Sequence, residues 1–471
     1  MISTFINAWK VADLRKKMLF TALIVLIFRI GAAIPVPFTN ITGDGIVDPN
    51  GETFMNYLAM MTGDAFTYGT IFALSITPYI NSSIIIQLLS VAIPYLEKLS
   101  KEGEEGRKKI ATITRYTTVA LALLQSTAYF IYLRAQGYVV TDANGDQFTG
   151  FAAVLQGLAV ILCLTAGSCF VMWLGEQVND KGIGNGISII LFAGIVSRIP
   201  TIIYTLWAHL MQGGAYYALV PIVAIILLAM IAFIVWMDNA ERRIPVQYAK
   251  RVVGRKMYGG QSTHIPIKVN MSGVLPVIFA SSILSVPPTV QMFLSEDKIT
   301  GTFWEKFFGV FTTTHWFYSV MYFVLILFFA YFYASIQYNP VEMANNIRKN
   351  SGMVPGLRPG KPTADYIKKI LGRITLLGAL LLSVVALFPN MITLFTNLIG
   401  SPLMLSLGGT SLIIVVGVAL ETVKQLESQM MLVNPIVWRE CRKKEAIIVQ
   451  ISQIAALIFR DEQSKNECLF R

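Results

Sequence analysis

Ten blocks of this chain are apolar over about the length a helix needs to cross a hydrocarbon core of roughly 30 Å, which takes roughly 20 residues. They lie near 18–34, 70–93, 110–133, 151–174, 183–206, 217–237, 271–294, 316–336, 370–388 and 405–423. A segment in lipid must satisfy its own backbone polar groups, and only helices and closed barrels do so. Barrel strands are short and alternate every second residue, whereas Leu219–Met237 is apolar without alternation. The expected fold is therefore an all-α polytopic membrane protein with ten transmembrane helices. Charge content agrees, because only 14% of the residues are charged, against roughly a quarter in soluble domains.

Lys and Arg fix the expected orientation, since they are retained on the cytoplasmic side. Lys10, Arg15, Lys16 and Lys17 precede the first block, and no Lys or Arg then occurs between Arg29 and Lys98. The segments 97–109, 238–268 and 337–369 carry five, seven and six basic residues, while 134–150, 198–216, 295–315 and 389–404 together carry four. Ten spans with both termini cytoplasmic fit this alternation. The net charge of +11 is thus gathered on one side, which suits an acidic or phosphate-rich partner.

Residues 1–17 read as a cytoplasmic amphipathic surface segment (Ile2, Phe5, Trp9) rather than a cleavable leader. Five spans in 18–206 and five in 207–423 would make two halves of opposite orientation. Such inverted halves place a pathway at their interface. Residues 424–471 form a cytoplasmic tail. Cys163, Cys169, Cys441 and Cys468 have neither metal-ligand spacing nor a disulfide framework.

Catalytic motifs are missing from the sequence. Gly356-Leu-Arg-Pro-Gly360-Lys361-Pro362 has three residues between its glycines and Pro in place of a magnesium-binding hydroxyl, so it reads as a stiff turn and not a phosphate loop. His209, His264 and His315 are far apart. Acids within the spans are scarce, with Glu176 and Asp238 near span ends, whereas a coupled transporter usually needs ionisable groups at mid-depth. Arg29, in the outer part of the first span, either snorkels or pairs with a neighbour.

Within the second block, Leu74–Ser90 carries Thr77-Pro78, Asn81-Ser82-Ser83 and Gln87 at apparent mid-depth. Helical spacing puts Ile76, Ile80, Ser83 and Gln87 on one face that changes from branched apolar to polar. Two readings stand: an interface between packed helices, or a wall with a dry constriction at one level and water at another. The segment 54–68 is apolar but too short to span, as expected of a re-entrant half-helix.

Several motifs then carry a resemblance: Phe28-Arg-Ile-Gly31, Pro78-Tyr-Ile80, Lys101-Glu-Gly103, Trp173-Leu-Gly-Glu176, Gly182-Ile-Gly-Asn-Gly-Ile-Ser188, Arg242-Arg-Ile244, Tyr248-Ala-Lys-Arg251, the run from Gln261 to Asn270, Pro355-Gly-Leu-Arg-Pro-Gly360 and Gly408-Gly-Thr-Ser411. In order from about residue 10 to 430, they resemble the bacterial SecY family, the main subunit of the protein-conducting channel. The resemblance implies a central pore with a ring at Ile76, Ile80, Leu191, Ile278 and Ile414. Leu191 departs from the isoleucine common at its position, at conserved volume. A plug is implied around Phe54, Met55, Tyr57, Leu58, Met61 and Phe66, and polar lateral-gate positions at Ser83, Gln87 and Asn270.

It also implies docking of a SecA-type motor ATPase or the ribosome, including its RNA, on Arg242, Arg243, Lys250, Arg251, Arg255, Lys256 and Arg358. From the residues alone, the basic loop reads first as a solvated positive-inside segment, and the resemblance turns the reading to docking. Small SecE- and SecG-type membrane subunits, secretory and membrane polypeptides with signal sequences, and the lipid bilayer of the bacterial cytoplasmic membrane complete the implied partners. Neither cofactor nor catalytic residue is expected. The tail departs from the family after Glu427-Ser-Gln429, continuing to Arg471 through the apolar stretch Ile447–Phe459. The alternatives are an ion-coupled secondary transporter of a small solute, which also predicts ten spans and a midplane pathway, and an insertase or scaffold without a pore.

Overall fold

The structure is a computed structural model and describes residues 6, 8–41, 65–140, 150–212, 216–248, 251–253, 256–258, 262–271, 273–284, 286–291, 307, 310, 316–350, 352–398 and 409–433. Its helices are α1 (Ala12–Gly31), α2 (Thr77–Ala92), α3 (Pro94–Lys101), α4 (Glu104–Ala135), α5 (Phe151–Lys181), α6 (Gly186–Val196), α7 (Ile199–Gln212) and α8 (Tyr216–Asn239), followed after a strand-bearing segment by α9 (Leu275–Leu284), α10 (Val286–Gln291), α11 (Trp316–Gln337), α12 (Pro340–Lys349), α13 (Lys361–Leu398) and α14 (Gly409–Val433). Each of the ten apolar blocks holds a helix. Among the described residues seven helices are long and apolar enough to cross a membrane, or eight if the bent pair α2 and α3 counts as one span.

Several boundaries differ from the sequence reading for local reasons. The block expected at 70–93 begins as turns, and α2 starts only at Thr77, so Pro78 lies in its first turn. A proline there forfeits no helical hydrogen bond. Ile76 caps the helix at φ −94° and ψ 1° instead of lying within it. At the other end Ile93 is extended, as a residue before proline prefers. The chain turns by 105° into α3, which buries Leu96 and Leu99 and exposes Tyr95, Glu97 and Lys98. The block at 271–294 is served by two short helices, α9 and α10. Arg29 is exposed in the last turn of α1, a place suited to snorkelling.

The chain divides into two compact units. The first comprises Met1–Ile27, Leu174–Ile189 and Val418–Arg471. Its apolar core joins Ala8, Leu14, Ile183, Leu426 and Met430. Thr21 Oγ1 accepts from the Ile183 amide at 3.1 Å. The motif at 182–188 is held by Asn179, whose Oδ1 accepts from the Gly186 amide at 2.7 Å.

The second unit comprises Phe28–Trp173 and Ile190–Gly417. Within it, α2 and α4 are joined where Ser82 Oγ donates to the Thr114 carbonyl at 2.8 Å. Another link joins α4 and α5, whose Ser126 and Thr165 hydroxyls lie 2.9 Å apart. Val36, Phe66, Leu74, Tyr129, Leu133, Val139 and Leu164 pack into one buried apolar cluster of this unit.

The two basic segments expected as loops are structured and meet. Strand β1 (Glu241–Tyr248) pairs antiparallel with β4 (Ser262–Lys268) and with β5 (Gly352–Met353), whereas β2 (Arg251–Val253) pairs with β3 (Lys256–Tyr258). Ile244, Val246 and Ile267 point from the sheet onto Ala344 and Ile347 of α12 and onto Ala364, Ile367 and Leu371 of α13. Asn339 starts α12 by accepting from the Val341 amide at 3.1 Å, with Pro340 in the first turn.

Candidate functional site

The positions expected to form the ring come from four helices of the second unit. Ile76 and Ile80 belong to the cap and first turn of α2, Leu191 to α6, Ile278 to α9 and Ile414 to α14. All are buried, at 0, 8, 4, 8 and 2% exposure. That burial contrasts with large apolar side chains elsewhere on the spans, such as Leu158, Ile225 and Leu228, which are exposed in the manner of a lipid-facing surface. Ser83 is half-buried and Gln87 exposed, so the face running from Ile76 to Gln87 passes from enclosed apolar to open polar. Asn81, Ser82 and Ser83, adjacent in sequence, separate in function. Ser82 binds α4 from a fully buried site, and Ser83 belongs to the changing face.

Asn270 is buried and donates through Nδ2 to Asp238 Oδ1 at 2.7 Å. Asp238 ends the apolar run of α8. It was legible as an acid near a span end, but nothing in the spacing pointed to a partner 32 residues away. Phe66 is the one expected plug position that is described. Its ring lies 4.6 Å from that of Tyr129, whose hydroxyl donates to the Phe66 carbonyl at 2.7 Å. Phe54, Met55, Tyr57, Leu58 and Met61 lie outside the described residues.

Of the expected docking residues, Arg242 and Arg243 are exposed on β1, and Arg243 binds Glu241 Oε1 through Nη2 and Nε, each at 2.7 Å. The backbones of Arg251 and Lys256 run in β2 and β3, while Lys250 and Arg255 lie outside the described residues. Arg358 is exposed, and its carbonyl accepts from Thr363 Oγ1 at 2.8 Å at the start of α13. Pairing of β1 with β5 brings the two basic segments into one small domain.

Comparison with known proteins bears on the family and the fold. The SecY family profile covers residues 70–423. Protein translocase subunit SecY of Streptomyces galbus is 43% identical over 436 residues, spanning 91% of this chain and 98% of that protein. The same subunit of Mycobacterium bovis is 42% identical over 440 residues, spanning 92% and 98%. A solved structure of a protein-conducting channel aligns with a TM-score of 0.59 at 18% identity, covering 90% of this chain and 94% of that one. Sec61 from a canine ribosome-channel complex aligns at 0.57 and 17%, with the same coverage. The fold is that of a multi-pass helical channel protein. The chain belongs to the SecY family of protein translocase subunits, which leaves the small-solute transporter reading without support.

Proposed function

We propose that this chain is the central pore-forming subunit of a channel that passes unfolded secretory polypeptides across the bacterial cytoplasmic membrane and releases membrane segments sideways into lipid. Its identity to translocase subunits over nine-tenths of its length supports the class. The burial of five branched aliphatic side chains from four helices in one unit is the observation that carries the mechanism. A narrow apolar ring excludes ions by dewetting. The same side chains form no directional bonds and let any polypeptide sequence slide past.

In this reading the segment 54–68 plugs the outer funnel at rest, and Ser83, Gln87 and Asn270 tune a lateral gate between the two inverted halves, 18–206 and 207–423. Both termini are cytoplasmic in this reading, which the distribution of Lys and Arg supports. The sheet domain with Arg242, Arg243 and Arg358 receives a motor ATPase or the ribosome, whose RNA it would meet by phosphate neutralisation. Small membrane subunits of the translocase complete the channel. Energy comes from the motor or from translation, and this chain supplies a path without catalysing a reaction.

The test uses the full chain, stripped of its four native cysteines and carrying Ile80→Cys, in proteoliposomes with companion subunits, motor and a precursor stalled in passage. ATP-dependent crosslinks are expected from Cys at position 80 and not from Cys at the exposed Ile85. A bound and stalled precursor that never reacts with an accessible Cys at position 80 refutes the ring.

A further inference from the structure

We propose that Asp238 is a positioning residue for the lateral gate, holding the gate position Asn270, and with it the root of α9, in its closed place. The assignment rests on the channel reading above and adds to it a contact within a single half of the chain. The Asn270 amide is buried, and its Nδ2 donates to Asp238 Oδ1 at 2.7 Å. The amide orientation follows from charge, because turning it over would set Oδ1 against a carboxylate. Hydrogen bonds to an ionised group are the stronger kind. Asn270 Oδ1 is enclosed and finds no donor among the described residues, so the side chain of Asn270 is held there by Asp238.

Packing removes slack from the same place. The segment 269–274 leads into α9, and the Val269 amide donates to the Ala240 carbonyl just beyond α8 at 2.8 Å. Gly378 of α13 lies under it, where an added Cβ would collide with the Val269 carbonyl oxygen. Gly417 of α14 lies beside it, where an added Cβ would come within 2.9 Å of Val274 Cγ2 and 3.8 Å of Asp238 Oδ2. The root of α9 is thus seated on two glycines and tied to the end of α8 by one backbone bond and one side-chain bond. Moving the root of α9, with Asn270, away from α8 breaks the Asn270 bond and leaves a half-buried carboxylate without that donor. The bond therefore contributes to the threshold that a signal segment has to overcome.

The experiment compares export of one precursor with an intact signal and with a charge inserted into the apolar stretch of that signal, in proteoliposomes holding the full chain, companion subunits and motor. The ratio of defective to intact export is the readout, because a merely destabilised channel lowers both together. Asp238→Ala is expected to raise the ratio by about tenfold, the scale of a charge-assisted bond, and Asn270→Ala to do the same. The double variant should go no further than either alone. Asp238→Asn keeps an acceptor for Nδ2 and should stay within about twofold of the unmodified chain, since the bond is weakened but retained. An unchanged ratio in Asp238→Ala at normal protein level overturns the assignment, as do independent effects of the two alanine changes or an Asp238→Asn as permissive as Asp238→Ala. If crosslinking at position 80 succeeds while the ratio stays unchanged, the positioning role alone fails; if that crosslinking fails, the channel reading fails first.

Discussion

The Tyr129 hydroxyl is enclosed, and it donates to the Phe66 carbonyl while the two rings pack together. The Phe66 carbonyl also accepts from the Gly69 amide at 3.2 Å, so losing the tyrosine donor leaves it partnered and costs only the net worth of one hydrogen bond, about 0.5–1.5 kcal/mol. Tyr129→Phe removes one oxygen and keeps the ring, so it should destabilise the chain by about that amount in micellar unfolding. Because Phe66 belongs to the expected plug segment, the same variant should raise the resting ion leak of reconstituted vesicles, and an unchanged leak would separate this contact from the plug. Gln87 is the opposite case, a polar side chain left exposed on α2. Gln87→Leu should favour the closed gate and depress export of precursors with weak signals more than of those with strong ones. Equal depression of both would remove Gln87 from the gate.

At the scale of elements, small hydroxyls fasten the first helices of the second unit: Ser82 to Thr114, Ser126 to Thr165, and Ser168 Oγ to the Ser75 carbonyl at 3.1 Å. Polar contacts between membrane helices are weaker than their setting suggests, with couplings of about 0.6 kcal/mol. A double-mutant cycle on Ser126→Ala and Thr165→Ala, followed by unfolding in micelles, should therefore return a coupling near that size; a value several times larger would mean that the pair carries a wider network. The helices themselves were legible because lipid demands long apolar runs, and every block holds one. Their ends were less so. Pro78 lies inside the second apolar block yet opens its helix, since hydropathy marks which residues are apolar and not where helical hydrogen bonding begins. The Asp238–Asn270 bond was illegible for another reason, because its partners are brought together by a sheet that periodicity in the spans does not report.

Across the whole molecule, the strongly basic charge is carried partly on a folded sheet domain and not only on extended loops. The alternation Arg243, Ile244, Pro245, Val246, Gln247, exposed and buried in turn, is a strand pattern that the density of basic residues obscured. Pairing of Gln247 with Met353 and of Tyr248 with Gly352 joins two segments about a hundred residues apart, which no local pattern reveals. This domain also gives the charges unequal roles. Arg243 is occupied twice by Glu241, whereas Arg242 is exposed beside them with no ion pair among the described residues. If ribosomal RNA docks here, each basic side chain that meets a phosphate adds roughly 0.7–0.9 to the slope of log affinity against log salt. Arg242→Gln should make that slope shallower by about 1, the contribution of one phosphate contact. Glu241→Gln should make it steeper, by up to about 1, because Arg243 is then released to the RNA. Sedimentation of ribosomes with the micellar chain across a salt series measures both. Opposite shifts in the two variants place phosphate on this strand, and unchanged slopes in both would assign the basic strand to orientation in the membrane rather than to docking.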